Sequence, residues 1–152
     1  MNFSETIAKS YSEARTRLTI LMATLNESDL KKKITPCPNS IGFLLRHLAD
    51  VELLFSKNVF KQIELSVKAK TVIAKKDTGE WTNLKELLDY LNLSFNTIVE
   101  IINKQSENSW NELITTNEFG TKTKGEAFGR IVSHTAYHTG QIALILKYGK
   151  SD

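Results

Sequence analysis

Four stretches of the chain repeat apolar residues three and four positions apart, and this spacing strongly constrains the fold. In an α-helix such positions share one face, so each stretch predicts an amphipathic helix. A helix of about 20 residues is roughly 30 Å long. Four apolar faces of that length leave water most simply by packing against one another. The sequence therefore predicts an all-α fold, a four-helix bundle.

The ends of the predicted helices carry recognisable capping residues. Ser4 and Thr82 are candidate N-caps for the first and third helices. Thr123 and Glu126 match a capping box at the start of the fourth helix, and Gly149 suits its C-terminal end. The apolar stripes are Ile7, Tyr11, Ala14, Leu18, Leu21 and Leu25; Ile41, Leu44, Leu45, Leu48, Val51, Leu54, Phe55 and Val59; Leu84, Leu88, Leu91, Phe95, Ile98 and Ile102; and Phe128, Ile131, Val132, Ile142, Ile145 and Leu146.

Three connections join the predicted helices, and they differ in pattern. Residues 26–39 form a short polar link. Residues 61–80 are mixed, which is compatible with a helical turn or an extended piece. Residues 109–122 alternate weakly and predict a loop or a short hairpin before the last helix. With 152 residues and no internal repeat, the chain is expected to form a single domain over residues 1–152.

Composition excludes several classes of function. The 20 basic and 17 acidic residues give a formal net charge of +3, too mild for a nucleic-acid-binding face. The longest apolar stretches, such as residues 142–146, are far shorter than a membrane span, and no secretory signal is visible. A single cysteine, Cys37, excludes an intramolecular disulfide framework and fits a reducing compartment. A cytoplasmic protein is therefore expected.

The placement of the three histidines is the most informative chemical feature. His134 and His138 stand four residues apart in the fourth stripe, and His47 belongs to the second. All three imidazoles are therefore predicted to point into the bundle. A shared divalent cation would satisfy them, and three protein ligands would leave positions open for chemistry. The alternative is three histidines that hydrogen-bond to ordinary polar neighbours, in the core or on the surface.

Two motifs resemble a known family. The run S-I-G-F-L-L-R-H-L-A-D-V-E at residues 40–52 is similar to the second-helix signature of the DinB-like (YfiT-like) proteins. The run H-T-A-Y-H-T-G-Q-I at residues 134–142 is similar to their fourth-helix signature. The resemblance implies a four-helix bundle, frequently a homodimer, in which His47, His134 and His138 hold a divalent metal. Zinc or nickel is favoured, with iron or manganese as alternatives.

The resemblance also implies a class of reaction. Members of the family with assigned activity include transferases that use a low-molecular-weight thiol and a thiol-dependent isomerase. We therefore expect a metal-dependent hydrolase or thiol S-transferase that acts on an unidentified small molecule. Two alternatives stay open. The chain could be a non-catalytic stress-response or metal-binding protein, or a dimerisation scaffold.

Further residues are candidates for roles near the histidines. Asp50 lies one turn beyond His47 and is a candidate general base; otherwise it is a solvated charge or a partner for Arg46. Gln141 could orient a histidine or a ligand, or else join two helices by a hydrogen bond. Tyr137 and Trp110 are candidates to line a substrate cavity, although aromatic residues more often belong to the core.

Overall fold

Four long helices form where the apolar stripes predict them. In the computed structural model, which describes residues 2–151, these are α1 (Phe3–Thr24), α2 (Ile41–Asn58), α4 (Leu84–Asn103) and α5 (Lys124–Tyr148). A short helix, α3 (Lys70–Ala74), lies in the connection between α2 and α4. The predicted all-α bundle is therefore confirmed.

Helix α2 joins the bundle together because it packs against both α4 and α5, while α1 packs against the same two helices from the other side. Two clusters of buried apolar side chains fill the space between them. One includes Leu18, Leu44 and Ile142; the other includes Phe55 and Phe128. Full burial of each such side chain contributes about 1.5–3 kcal/mol.

The helix ends follow the predicted chemistry with two corrections. Asn2, not Ser4, caps α1, because its Oδ1 atom accepts a hydrogen bond from the amide of Glu5. Asn83, not Thr82, caps α4 in the same way. An asparagine two residues before Ser4 and one residue after Thr82 is thus the side chain that reaches the free helix amide. The predictions for α5 are confirmed, with Thr123 and Glu126 forming its capping box and Gly149 its C-cap.

The connections contain more structure than their sequences predict. Two 3-10 helices, Glu27–Lys31 and Glu107–Asn111, precede α2 and the sheet. The predicted hairpin before the last helix is confirmed: β1 (Leu113–Thr116) pairs with β2 (Gly120–Thr123) in an antiparallel register. Gly120 adopts a φ of 72°, which glycine tolerates at no steric cost. Within residues 2–151, no helix is long and apolar enough to cross a membrane.

A charged pair crosses the middle of the bundle. Arg15 on α1 and Glu52 on α2 form a salt bridge, and both side chains are almost completely buried. The other hydrogen bonds to the Glu52 carboxylate come from the hydroxyl groups of Tyr11 and Ser94. The guanidinium of Arg15 also donates to the carbonyl oxygen of Leu91 on α4. This network joins α1, α2 and α4, and in the low dielectric of the interior its hydrogen bonds strengthen one another.

Candidate metal centre

Helices α2 and α5 bring the three histidines together. His134 and His138 lie one turn apart on α5, and His47 faces them from α2. One potential ligand nitrogen from each ring lies within 4.8 Å of the other two. The Nε2 atoms of His47 and His134 are 3.2 Å apart. The rings are half-buried, so they are shielded from bulk water while one side still opens to the surface.

Neighbouring side chains engage the outer nitrogens of two of the rings. The Nδ1 atom of His47 lies 3.2 Å from the hydroxyl oxygen of Thr71 on α3. The Nδ1 atom of His138 lies 2.6 Å from the Oε1 atom of Gln141, so the ring donates to the amide oxygen. Both contacts leave the Nε2 atoms of these rings for the interior of the cluster. Such partners fix the tautomer and the orientation of a ligating imidazole.

The third ring lacks a comparable partner. The Nδ1 atom of His134 is buried and has no hydrogen-bond partner among residues 2–151. An unsatisfied buried nitrogen costs about 1–3 kcal/mol. The His134 ring is nevertheless held in place, with its Nε2 atom directed at His47. The fold thus holds the His134 ring beside the other two imidazoles although its Nδ1 atom stays unsatisfied.

The arrangement fits a divalent cation. Two nitrogens bound about 2.0–2.1 Å from a tetrahedral zinc lie roughly 3.3 Å apart. The distance of 3.2 Å between the Nε2 atoms of His47 and His134 is close to that value. Neutral imidazole is a good ligand for zinc, nickel, copper and iron. The residues present therefore fit the metal that the family pattern implies, with three protein ligands and room for an exogenous one.

Burial keeps the three imidazoles neutral. It lowers the pKa of His47 from 6.5 to about 4, assisted by the nearby positive charge that His138 would carry. It lowers the pKa of His134 to about 3, with His138 and His47 contributing in the same direction. Burial also lowers the pKa of His138 below its ordinary value. Because a metal binds only the deprotonated ring nitrogen, the cluster is prepared for a cation at neutral pH.

A groove of about 900 Å³ leads from the surface to the histidines. One wall is the apolar face of α2 with Val51, Leu54 and Phe55, and Val72 of α3 adds to it. The opposite wall is the tip of the hairpin, residues 115–119. An adjoining cavity of about 480 Å³ shares Val51, Phe55, Glu118, Phe119 and His134 with the groove. Apolar side chains and a few polar ones line the groove together, as in most small-molecule sites.

The other predicted site residues occupy different places. Asp50 is fully buried behind His47 and does not line the groove, so it is not the solvated charge that the sequence allowed. It does form the predicted ion pair with Arg46, with 2.9 Å between Nε and Oδ1. Trp110 belongs to the core, where its indole donates to Ser4. Tyr137 is 65% exposed at the edge of the smaller cavity.

Two parts of the site were absent from the sequence-based prediction. One is Thr71, which contacts His47 from a connection with no clear periodicity. The other is the tip of the hairpin, residues 115–119, which closes the groove. The weak alternation around residues 109–122 indicated a hairpin but not where it would pack. Cys37 is exposed, and the structure gives it no part in the cluster.

The amino-acid sequence matches the model of one known protein family. The model of the DinB superfamily matches residues 10–142, which is most of the chain. The chain belongs to the DinB superfamily. The matched region contains His47, His134, His138 and Gln141. No curated protein matches this DinB-superfamily chain at a significant level.

Two solved structures share the fold of this DinB-superfamily chain. One is the crystal structure of a histidine-to-alanine mutant of mycothiol-dependent maleylpyruvate isomerase, with a TM-score of 0.72 and 12% identity. The match covers 91% of this chain but only 60% of the isomerase chain. The other is a conserved protein from Enterococcus faecalis, with a TM-score of 0.70 and 16% identity, covering 97% of this chain and 96% of that one. At sequence identities this low, the two matches show that the fold is shared and nothing more.

Proposed function

We propose that this protein is a divalent-metal-dependent enzyme that transfers a low-molecular-weight thiol to an electrophilic small molecule. The observation that carries the proposal is the convergence of three histidine nitrogens, within 4.8 Å of one another, at the inner end of a large groove. A thiol is favoured as the co-substrate because a structural neighbour with the same fold is a mycothiol-dependent isomerase.

His47, His134 and His138 would hold the cation, with zinc or nickel preferred over iron or manganese. A bound cation of this kind lowers the pKa of a coordinated thiol or water, so that the nucleophile forms near neutral pH. In the transfer, the thiolate sulfur attacks an electrophilic carbon of the substrate. The bond from that carbon to the leaving group breaks, the leaving group keeps the electron pair, and the thiol proton passes to solvent.

The remaining residues of the site supply position and surroundings. Thr71 and Gln141 hold the rings of His47 and His138 through their Nδ1 atoms. The apolar wall formed by Val51, Leu54 and Phe55 suits the carbon skeleton of an electrophile and displaces water from it. No residue needs to act as a general base for this chemistry, because a cation held by the three histidines would itself make the nucleophile acidic enough to lose its proton. We accordingly assign Asp50 no direct proton transfer.

A hydrolase is the second candidate, because an open coordination position accepts water as readily as a thiol. The same groove would then bind an ester or amide. A metal-binding protein without turnover, or a scaffold without metal, would lack a rate that depends on the histidines. A rate that depends on the histidines therefore separates an enzyme from both of these alternatives.

The test measures turnover with and without a chelator. Purified protein with added zinc or nickel is incubated with 1-chloro-2,4-dinitrobenzene and each of several thiols, and in parallel with p-nitrophenyl acetate without thiol. We expect thiol transfer that a chelator abolishes and that is lost in His134→Ala. Leu144→Ala is the matched control, since Leu144 is exposed on the same helix. Ester cleavage alone would favour the hydrolase, and equal rates in wild type and His134→Ala would contradict catalysis at this site.

A further inference from the structure

A chain of hydrogen bonds reaches His47 from behind. The Oδ2 atom of Asp50 accepts two hydrogen bonds from Thr71, one from its amide at 3.0 Å and one from its hydroxyl at 2.7 Å. The same hydroxyl oxygen lies 3.2 Å from the Nδ1 atom of His47. Asp50 and His47 are both on α2, whereas Thr71 is on α3. The short helix thus inserts one side chain between a buried carboxylate and a histidine of the cluster.

The direction of these hydrogen bonds fixes the tautomer of His47. A carboxylate only accepts, so the single proton of the Thr71 hydroxyl points to Asp50. The hydroxyl oxygen therefore has only lone pairs to offer to His47, and the ring must donate its Nδ1 proton. The neutral ring then carries its free lone pair on Nε2. That atom is the one that faces His134.

The Asp50 carboxylate is itself rigidly held. Its Oδ1 atom accepts from the Nε atom of Arg46 at 2.9 Å and from the hydroxyl of Tyr90 on α4 at 3.1 Å. The guanidinium of Arg46 lies over the rings of Tyr90 and Trp81, at 3.9 Å and 5.1 Å from their centroids. Four hydrogen bonds thus hold the Asp50 carboxylate in place. The residue is fully buried, so neither carboxylate oxygen is accessible to a substrate.

We propose that Asp50 and Thr71 are positioning residues that set the tautomer and the orientation of His47, and that α3 is thereby a structural part of the metal site. The proposal rests on the proposed function in assuming that His47 is a ligand. It replaces a general-base role for Asp50 with an indirect one. Removing the Thr71 hydroxyl should release the ring, because Nδ1 would then lose the acceptor of its proton, while the contact between Nε2 and His134 suits either tautomer.

Three variants test this proposal. Thr71→Val removes the hydroxyl at nearly constant volume, whereas Thr71→Ser keeps the hydroxyl and removes the methyl group. Thr139→Val is the matched control, since Thr139 is also buried and its hydroxyl donates only to the carbonyl oxygen of Thr135. The affinity for Co²⁺ and Zn²⁺ is measured by competition with a chromophoric chelator. Loss of a partner behind a ligating histidine typically weakens metal binding about 10–100-fold, and we expect that loss in Thr71→Val alone.

A second readout does not require metal. Long-range ¹H–¹⁵N spectra of the metal-free protein report which nitrogen of His47 carries the proton. We expect an Nδ1–H tautomer in wild type, in Thr71→Ser and in Thr139→Val, and a mixture of tautomers in Thr71→Val. If the protein binds no metal but the tautomer shifts as expected, the proposed function fails while the positioning role stands.

A Thr71→Val variant with the wild-type tautomer of His47 and wild-type metal affinity would overturn the proposal. Circular dichroism of each variant checks the fold, and Thr71→Ala takes the place of Thr71→Val in both measurements if the valine variant does not fold. A rescue by Thr71→Ser that equals wild type assigns the effect to the hydroxyl and not to packing.

Discussion

The Nε2 atom of His47 lies 3.2 Å from the Nε2 atom of His134, although 87 positions separate the two residues in the sequence. The contact joins α2 to α5 at the inner end of the groove. Such proximity of two imidazoles is electrostatically unfavourable if both rings are charged, and burial disfavours the charge on either one. A shared cation removes this repulsion, because both rings are then neutral ligands that bind the cation through their Nε2 lone pairs.

Gln141 should support metal binding through His138. Its Oε1 atom accepts the Nδ1 proton of His138 at 2.6 Å, which leaves Nε2 free to bind the cation. Replacing Gln141 with Leu should weaken Zn²⁺ binding about 10–100-fold in a chelator competition. Gln141→Glu keeps an oxygen acceptor at the same place and should bind at least as tightly as wild type. Equal affinities for Gln141→Leu and wild type would show that the hydrogen bond has no role in binding.

A change in the groove should alter the kinetics of thiol transfer and leave the metal content unchanged. Leu54 lies on the apolar wall, away from the histidine rings, and Leu54→Trp should fill part of the space. We expect a raised KM or a loss of kcat/KM for thiol transfer, with unchanged metal content. Leu93→Trp, at a position that is 56% exposed on α4, is the control. Wild-type kinetics for Leu54→Trp would place substrate binding elsewhere.

The buried ion pair should contribute strongly to stability. Arg15→Leu leaves the carboxylate of Glu52 buried without its charged partner. Removing one member of such a pair typically costs about 3–5 kcal/mol in the free energy of unfolding, measured here by urea denaturation. Arg17→Leu is the control, because Arg17 is an exposed residue of the same helix. A similar free energy of unfolding for the two variants would contradict this interpretation of the network.

Tyr90 should titrate late. Partial burial, with the negative charge of Asp50 as the next contribution, raises the pKa of Tyr90 from 10.0 to about 12. Tyr90 ionises at a lower pH in the unfolded chain than in the folded one. Its contribution to the free energy of unfolding is therefore fully present below pH 10 and is lost as the pH rises from 10 to 12. An absorbance titration at alkaline pH should show one late-ionising tyrosine fewer in Tyr90→Phe. If Tyr90→Phe instead loses the amplitude near pH 10, the contact with Asp50 is contradicted.

The helices were predictable because their information is local. Stripes with spacings of three and four residues lie within single helices, and they also determined that His134 and His138 share a face. The capping box of Thr123 and Glu126 is equally local. The errors at Ser4 and Thr82 are shifts of one or two residues, since several neighbouring polar side chains can accept from the same amides.

The contacts between distant segments were not predictable in the same way. Thr71 reaches His47 only because the connection after α2 folds back onto that helix, and nothing in its composition indicates this. Arg15 and Glu52 look like surface charges in a sequence, since their pairing depends on how α1 and α2 face each other across the bundle. Asp50 was correctly placed near His47, but its burial and its partners depend on α3 and α4. The expectations of a homodimer and of a cytoplasmic location stay predictions, and sedimentation equilibrium would check the first.

The metal content of the purified protein tests the three-histidine hypothesis. After removal of metals and reloading with zinc or nickel, the bound ion per chain is measured by inductively coupled plasma mass spectrometry for wild type, His134→Ala and the exposed control Leu144→Ala. We expect one ion per chain in wild type and in Leu144→Ala, and almost none in His134→Ala. A wild-type protein that binds neither ion, or a His134→Ala variant that binds as wild type does, would contradict the hypothesis.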